Sequence, residues 1–241
     1  MFTPDLLIAA AGVGSRMKIG YPKQYMPLLD GFKLLEITVM RLAGMKLFRS
    51  INVVVAPNDP YIGECRLPEG VRVLAVGGRT RAESVFNGLK AMALSRNDWV
   101  FVHDAARPCV KRVDIERMIR ALESTDCSGA ILASPVTDTL KTVDEHGLVT
   151  STVDRRLCRR AQTPQGFRAG ELLTALAPVL ETATDEAGAM EAAGARVLVV
   201  ESSACNIKVT HPDDALLAAF FLKTLRAFEY NNRISIFGAL S

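Results

Sequence analysis

Cysteine is scarce and unpatterned in this chain. Cys65, Cys109, Cys127, Cys158 and Cys205 are odd in number, lie far apart and form no CxxC pair, which excludes a disulfide framework and leaves no zinc or redox signature. They read as reduced thiols. Histidine is scarcer still. His103, His146 and His211 are widely separated, His146 in an expected turn and His211 at an expected helix start, so none has metal-ligand spacing and each reads as structural. A charge excess is missing too, because 29 Lys and Arg against 26 Asp and Glu leave a formal net charge of +3. That is too little for the diffuse cationic field of a nucleic-acid or membrane-surface binder, and any anion site must be local. No long apolar run is present either. The stretch at 215–222 is far shorter than a membrane span, and the N-terminal MFTPDLLIAA carries an acid but no basic segment, which argues against a secretion signal. These absences predict a cytoplasmic protein.

What is present suits an ordinary globular chain. With 49% hydrophobic and 23% charged residues over 241 positions, a sizeable core is expected within one domain spanning 1–241, with an excursion at about 138–157. Short β-branched runs predict strands over 6–10, 51–56, 71–76, 99–103 and 130–135, and apolar residues at three- and four-residue spacing predict helices over 34–42 and 82–94. That alternation specifies an α/β, doubly wound, mostly parallel sheet covered on both faces. After Pro135 the pattern changes. Two alternating runs flank a polar turn at 144–147 within residues 140–155, which predicts a projecting β-hairpin arm. An isolated two-stranded ribbon is marginal in water, so the arm is expected to pack on a second copy of the chain. Further on, helices are expected over 170–177 and 185–193, strands over 196–200 and 206–210, and a last helix capped by Thr210 with Pro212, Asp213 and Asp214 in its first turn.

The most informative segment is LLIAAAGVGSRMKIGYPKQYMPLL, where a buried strand runs into a turn carrying Gly12, Gly14, Arg16 and Lys23. Small residues let backbone N–H groups approach a phosphate chain, and the two cations can neutralise it. Two better-known phosphate motifs fit less well. A dinucleotide fingerprint has glycine or alanine where Met17 stands, and GxxxxGK[ST] has no match. The blander alternative is that the glycines merely shape a tight turn and that Arg16 and Lys23 are exposed loop charges in surface ion pairs; the two cations close behind the glycines favour the phosphate reading.

AAAGVGSRM followed by PKQY is similar to the signature of sugar-nucleotide and polyol-phosphate nucleotidyltransferases. Seven further segments are GGRTRAESVFNGL, HDAARP, PVTDTLK, TVDR, QTPQGF, DEAGAME and NIKVTHPDD. Together, in this order, they resemble the 2-C-methyl-D-erythritol 4-phosphate cytidylyltransferases of the non-mevalonate isoprenoid pathway. The resemblance implies a Rossmann-like nucleotidyltransferase fold and attack of a phosphomonoester oxygen on the α-phosphorus of CTP. It assigns Arg16 and Lys23 to charge stabilisation around the triphosphate, and Arg155 and Lys208 to holding the acceptor phosphate. Ala10, Ala11, Gly12, Gly14, Gly78 and Ser84 are implied in nucleotide recognition. Asp104, Ala105 and Arg107 in HDAARP lie just past a strand end, where open parallel sheets bind ligands, and Thr139 and Thr163 are implied on the acceptor. Mg²⁺ is expected on the CTP triphosphate with no protein ligand named, and a homodimer through the arm is expected to finish the acceptor pocket with Arg155. Arg79 and Arg81 make the GGRTR loop more basic than in many relatives. Since the chain stops at Ser241, no second fused activity is expected. A ribitol-5-phosphate cytidylyltransferase is the nearest alternative, and a noncatalytic nucleotide-binding regulator or an oxidoreductase would be a different class.

Overall fold

Leu6, Leu7 and Ile8 are all fully buried within β1 (Asp5–Ala9), as expected of a parallel strand covered on both faces. The computed structural model of the chain describes residues 2–12 and 20–231. After β1 come the short pair β2 (Pro27–Leu29) and β3 (Phe32–Lys33), then α1 (Leu34–Gly44), β4 (Ile51–Val54), β5 (Arg72–Leu74), α2 (Arg81–Met92), β6 (Trp99–Asp104), α3 (Arg112–Ser124) and β7 (Gly129–Pro135). The second half carries β8 (Leu140–Val143), β9 (Val149–Val153), β10 (Arg159–Arg168), α4 (Ala169–Leu176), α5 (Glu186–Ala192), β11 (Val197–Glu201) and α6 (Pro212–Asn231). Seven strands form one sheet in the order β11-β7-β10-β6-β1-β4-β5. Every neighbouring pair is parallel except those made by β10, which runs antiparallel to β6 and β7.

Side chains alternate across a strand, and the core divides accordingly. Leu6, Ile8 and Phe101 join Leu35 and Val39 of α1 and Ile115 and Met118 of α3 on one face. On the other, Leu7, Val100 and Val102 join Val85 and Leu89 of α2 with Leu172 and Leu176 of α4. The chain leaves β1 through α1 toward β4 and β5, then returns through α2 to β6 on the opposite side of β1. This reversal opens a crevice at the carboxyl ends of β1 and β6, the place where such sheets hold ligands.

Some elements differ from the sequence reading. The strand expected over 206–210 joins no ladder, because its backbone is engaged elsewhere. Val209 N donates to Ala106 O at 2.8 Å, the carbonyl of Asn206 accepts from Arg107 and that of Val209 accepts from Lys23. Thr210 is not the cap of α6. The Asp214 carboxylate reaches back instead, accepting the N–H groups of Thr210 and His211 at 2.8 Å each, and Pro212 opens the helix where its missing N–H costs nothing. Four elements, the short pair β2 and β3 together with α3 and β10, have no counterpart in the sequence pattern. Pro164 argues against a central strand, yet the β10–β7 ladder shifts register between Ala161 and Gln165, so no rung needs the absent proline N–H.

Strands β8 and β9 pair with each other alone, Leu140 opposite Val153 and Lys141 opposite Thr152. Asp144 shapes their turn by accepting from the N–H groups of His146 and Leu148 at 3.0 and 2.9 Å. The ribbon leaves Val143, Leu148 and Val149 largely exposed. Among the described residues, no helix is long and apolar enough to cross a membrane.

Candidate functional site

The turn after β1 is braced from below by a buried amide. Gln24 lies in the three-residue turn Lys23–Tyr25, where its Nε2 donates to Ala10 O at 2.6 Å and to Gly12 O at 3.0 Å. Lys23, one residue earlier, donates from Nζ to Val209 O at 2.7 Å. Opposite this turn the Gly77–Gly78 pair comes close to it. A Cβ on Gly77 would lie 2.4 Å from Ala11 Cβ and 2.8 Å from Val55 O, so only glycine at 77 lets the two loops approach, while one on Gly78 would lie 2.3 Å from Glu83 Cγ of the helix that follows. Ser84 secures the second loop, accepting from Gly78 N at 3.0 Å and donating to Thr80 O at 2.8 Å. Between the loops opens a cleft of about 510 Å³ whose lining includes Lys23, Gly78, Arg79, Arg81, Asp104 and Lys208.

Asp104, at the end of β6 and only 6% exposed, is the electrostatic centre of this cleft. Its Oδ1 accepts from Arg81 Nε at 2.9 Å, and its Oδ2 meets Lys208 Nζ at 2.8 Å and Arg107 Nε at 3.7 Å. Burial acts to raise this carboxyl, but Arg81, then Lys208 and Arg107, outweigh it and hold it well below the usual carboxylate range. The group is therefore a fixed anion.

Behind Asp104 runs a neutral relay. Asp104 N donates to Thr163 Oγ1 at 3.0 Å, the Thr163 hydroxyl lies 3.1 Å from His103 Nδ1, and His103 Nε2 lies 3.0 Å from Arg107 O. With its hydroxyl oxygen already accepting, Thr163 donates to Nδ1, so the imidazole carries its proton on Nε2 and gives it to the carbonyl. Burial pushes His103 from the ordinary 6.5 down to about 4. Stability linked to this neutral ring is complete above about pH 6.5 and is lost as pH falls toward 4, because the unfolded chain then binds a proton that the native one refuses. Urea titrations at pH 7 and pH 4 are expected to show wild type losing roughly 3 kcal/mol more than His103→Gln. Equal losses would remove this account.

A sequence profile of the 2-C-methyl-D-erythritol 4-phosphate cytidylyltransferase family matches residues 5–224. The chain belongs to that family. It is 45% identical over 219 residues to the protein of that name from Haemophilus influenzae (strain PittGG), covering 90% of this chain and 95% of the relative. The protein of that name from Vibrio parahaemolyticus serotype O3:K6 is 43% identical over 227 residues, covering 91% and 95%. The crystal structure of the Francisella tularensis 2-C-methyl-D-erythritol 4-phosphate cytidylyltransferase is similar with a TM-score of 0.78 at 34% identity, covering 91% of this chain and 100% of that one.

Within this cytidylyltransferase-family chain, the fold brings Ala10, Ala11, Gly12, Lys23, Gly78, Ser84, Asp104, Ala105 and Lys208 to one cleft. Gly14 and Arg16 lie outside the described residues. Four other predicted residues are not among the cleft's described lining. Arg107 lies beside it and braces the segment bearing Lys208, donating to Asn206 O at 2.8 Å. Thr163 lies beneath Asp104 with its hydroxyl engaged as above. Thr139 is exposed, and Arg155, also exposed at the foot of the ribbon, donates to Thr137 O. Arg81 reads differently in space than in sequence. Where its loop looked merely more basic, the guanidinium is gripped by Asp104 and by Glu186, which is 0% exposed. Gln24 in PKQY and Glu186 in DEAGAME take their parts only in the folded chain, because a buried amide or carboxylate must find a partner and the sequence does not show that they are buried.

Proposed function

We propose that this chain transfers the cytidylyl group of CTP to the phosphate of 2-C-methyl-D-erythritol 4-phosphate, giving 4-diphosphocytidyl-2-C-methyl-D-erythritol and pyrophosphate. The observation that carries this reading is the presence of Lys23 and Lys208 in one switch-point cleft with Asp104. A phosphate oxygen of the acceptor attacks the α-phosphorus, forming a new P–O bond. The bond from that phosphorus to the bridging oxygen breaks, and its electron pair leaves with pyrophosphate. No protein nucleophile is needed, since the phosphate is one already. The protein must supply position and positive charge, because two polyanions repel and their transition state gathers charge on nonbridging oxygens. Lys23, with Arg16 from the same loop, supplies charge around the triphosphate, and Lys208, on the segment that Arg107 braces, draws in the acceptor phosphate. Asp104 stays ionised and accepts from hydroxyls of ribose or acceptor. Backbone groups from Ala10 to Gly14 and at Gly78 take the base, whose 4-amino donor suits carbonyl acceptors. Arg155 and Thr139 act on the acceptor bound to the partner copy of a homodimer, reached through the ribbon.

The donor set suits the phosphates rather than a bare metal ion. Asp104 is the carboxylate among the cleft's described lining, and both of its oxygens already face cations. Magnesium carried on the triphosphate would neutralise part of its charge, and this chain's own residues hold the phosphates. Five free cysteines support placing the enzyme in the cytoplasm.

Pyrophosphate release tests the reaction directly, crossing CTP, UTP and ATP with methylerythritol phosphate and ribitol phosphate. Release is expected with CTP and methylerythritol phosphate, and a preference for ribitol phosphate would overturn the acceptor assignment. Subunit sharing is tested by mixing Arg155→Ala and Lys23→Ala proteins. If Arg155 serves the partner's site, each mixed dimer regains one intact site and activity returns. No recovery on mixing would place Arg155 in its own subunit's site.

A further inference from the structure

Glu186 and Arg81 form a charged pair that the reaction described above leaves without a task. Glu186, in the first turn of α5, grips Arg81 with both oxygens, Nη1 to Oε1 at 2.6 Å and Nη2 to Oε2 at 3.0 Å. The remaining nitrogen, Nε, donates to Asp104 Oδ1 at 2.9 Å, and Asp104 Oδ2 meets Lys208 Nζ at 2.8 Å. A guanidinium is a flat fork, so holding two of its nitrogens fixes the direction of the third. The anchor is itself held. On either side of Glu186, Gln165 Nε2 donates to Asp185 Oδ2 and Ala187 N donates to Gln165 Oε1, both at 2.9 Å. The orientation of α5 against β10 is thereby passed to Asp104.

Packing alone does not account for this arrangement, since well-packed apolar residues commonly serve stability as well as a buried ion pair does. What the ionic chain adds is direction. A carboxylate offers about four acceptor sites; Arg81 engages one on Oδ1, while Lys208 and the more distant Arg107 face Oδ2, which leaves room on Oδ1 for a hydroxyl donor. We propose that Glu186 is a positioning residue for the acceptor: through Arg81 it sets the plane of the Asp104 carboxylate, and with it the seat of the polyol phosphate's hydroxyls and of the Lys208 ammonium. This inference rests on the cytidylyl-transfer reading.

The test is pyrophosphate-release kinetics with each substrate varied in turn, on wild type, Glu186→Gln and the double variant Glu186→Gln with Arg81→Gln, alongside thermal unfolding. Glu186→Gln is expected to lower kcat/KM for the polyol phosphate by ~10²-fold, the scale of a small misplacement, while KM for CTP stays unchanged. The double variant removes both buried charges together, so it covers the case in which the single variant does not fold. It is expected to regain stability without regaining acceptor kinetics. Unchanged acceptor kinetics in Glu186→Gln, equal losses for both substrates, or acceptor kinetics restored along with stability would each overturn the positioning role. Failure of the reading beneath it is distinguishable, because wild type itself would then release no pyrophosphate.

Discussion

Lys23→Ala is expected to lower turnover by about 10²–10³-fold while leaving the fold in place, the loss typical of deleting one preorganised donor to a developing oxyanion. Lys23 lines the cleft, and its Nζ donates to Val209 O at 2.7 Å. A half-buried bond of that kind contributes only about 1 kcal/mol net, small against the stability of a folded domain. In the transition state the demand is larger, because charge grows on the α-phosphate as the acceptor approaches. An ammonium on a flexible stem can follow that movement. Steady-state kinetics with circular dichroism checks both halves. Turnover within a few-fold of wild type would sink the role of Lys23, whereas an altered spectrum would mean that the Val209 contact holds the fold as well.

Asp104→Asn is expected to cost more in stability than any other single change at the site, about 3–5 kcal/mol, the scale of breaking a buried charge cluster by removing one partner. Arg81, Lys208 and Arg107 all face this carboxylate. Without it Arg81 keeps Glu186, but Lys208 and Arg107 are left close together in a part-buried pocket with no anion between them. For a chain of this size the loss corresponds to a melting temperature about 10 °C lower. Because the native carboxyl is held below its ordinary value, its contribution is complete above about pH 4 and is lost as pH falls through the native value. Wild type and the variant should therefore converge in stability as the solution is acidified. Parallel curves would show that the cations do not depend on Asp104.

The fold class was legible because buried parallel strands announce themselves. Leu6 to Ile8 and Trp99 to Val102 are apolar on both faces, the pattern of a strand covered on both sides. β10 was hidden because its proline and its register shift coincide, and neither is visible until the strand opposite it is known. At the site, AAAG and PKQY pointed to the turn and Lys23 through their resemblance to the family's motifs. The part of Gln24 was not legible, because reaching Ala10 and Gly12 depends on how the turn closes.

Residue type and order alone determined that an alternating α/β chain with a mostly parallel sheet forms, and that the charges do not add up to a diffuse cationic field. Tertiary structure decided which of those charges meet. Arg81, Asp104, Glu186 and Lys208 span 128 positions of sequence, yet they form one bonded chain across the carboxyl end of the sheet. Strand order sets that meeting, and a one-dimensional pattern carries no record of which strands become neighbours.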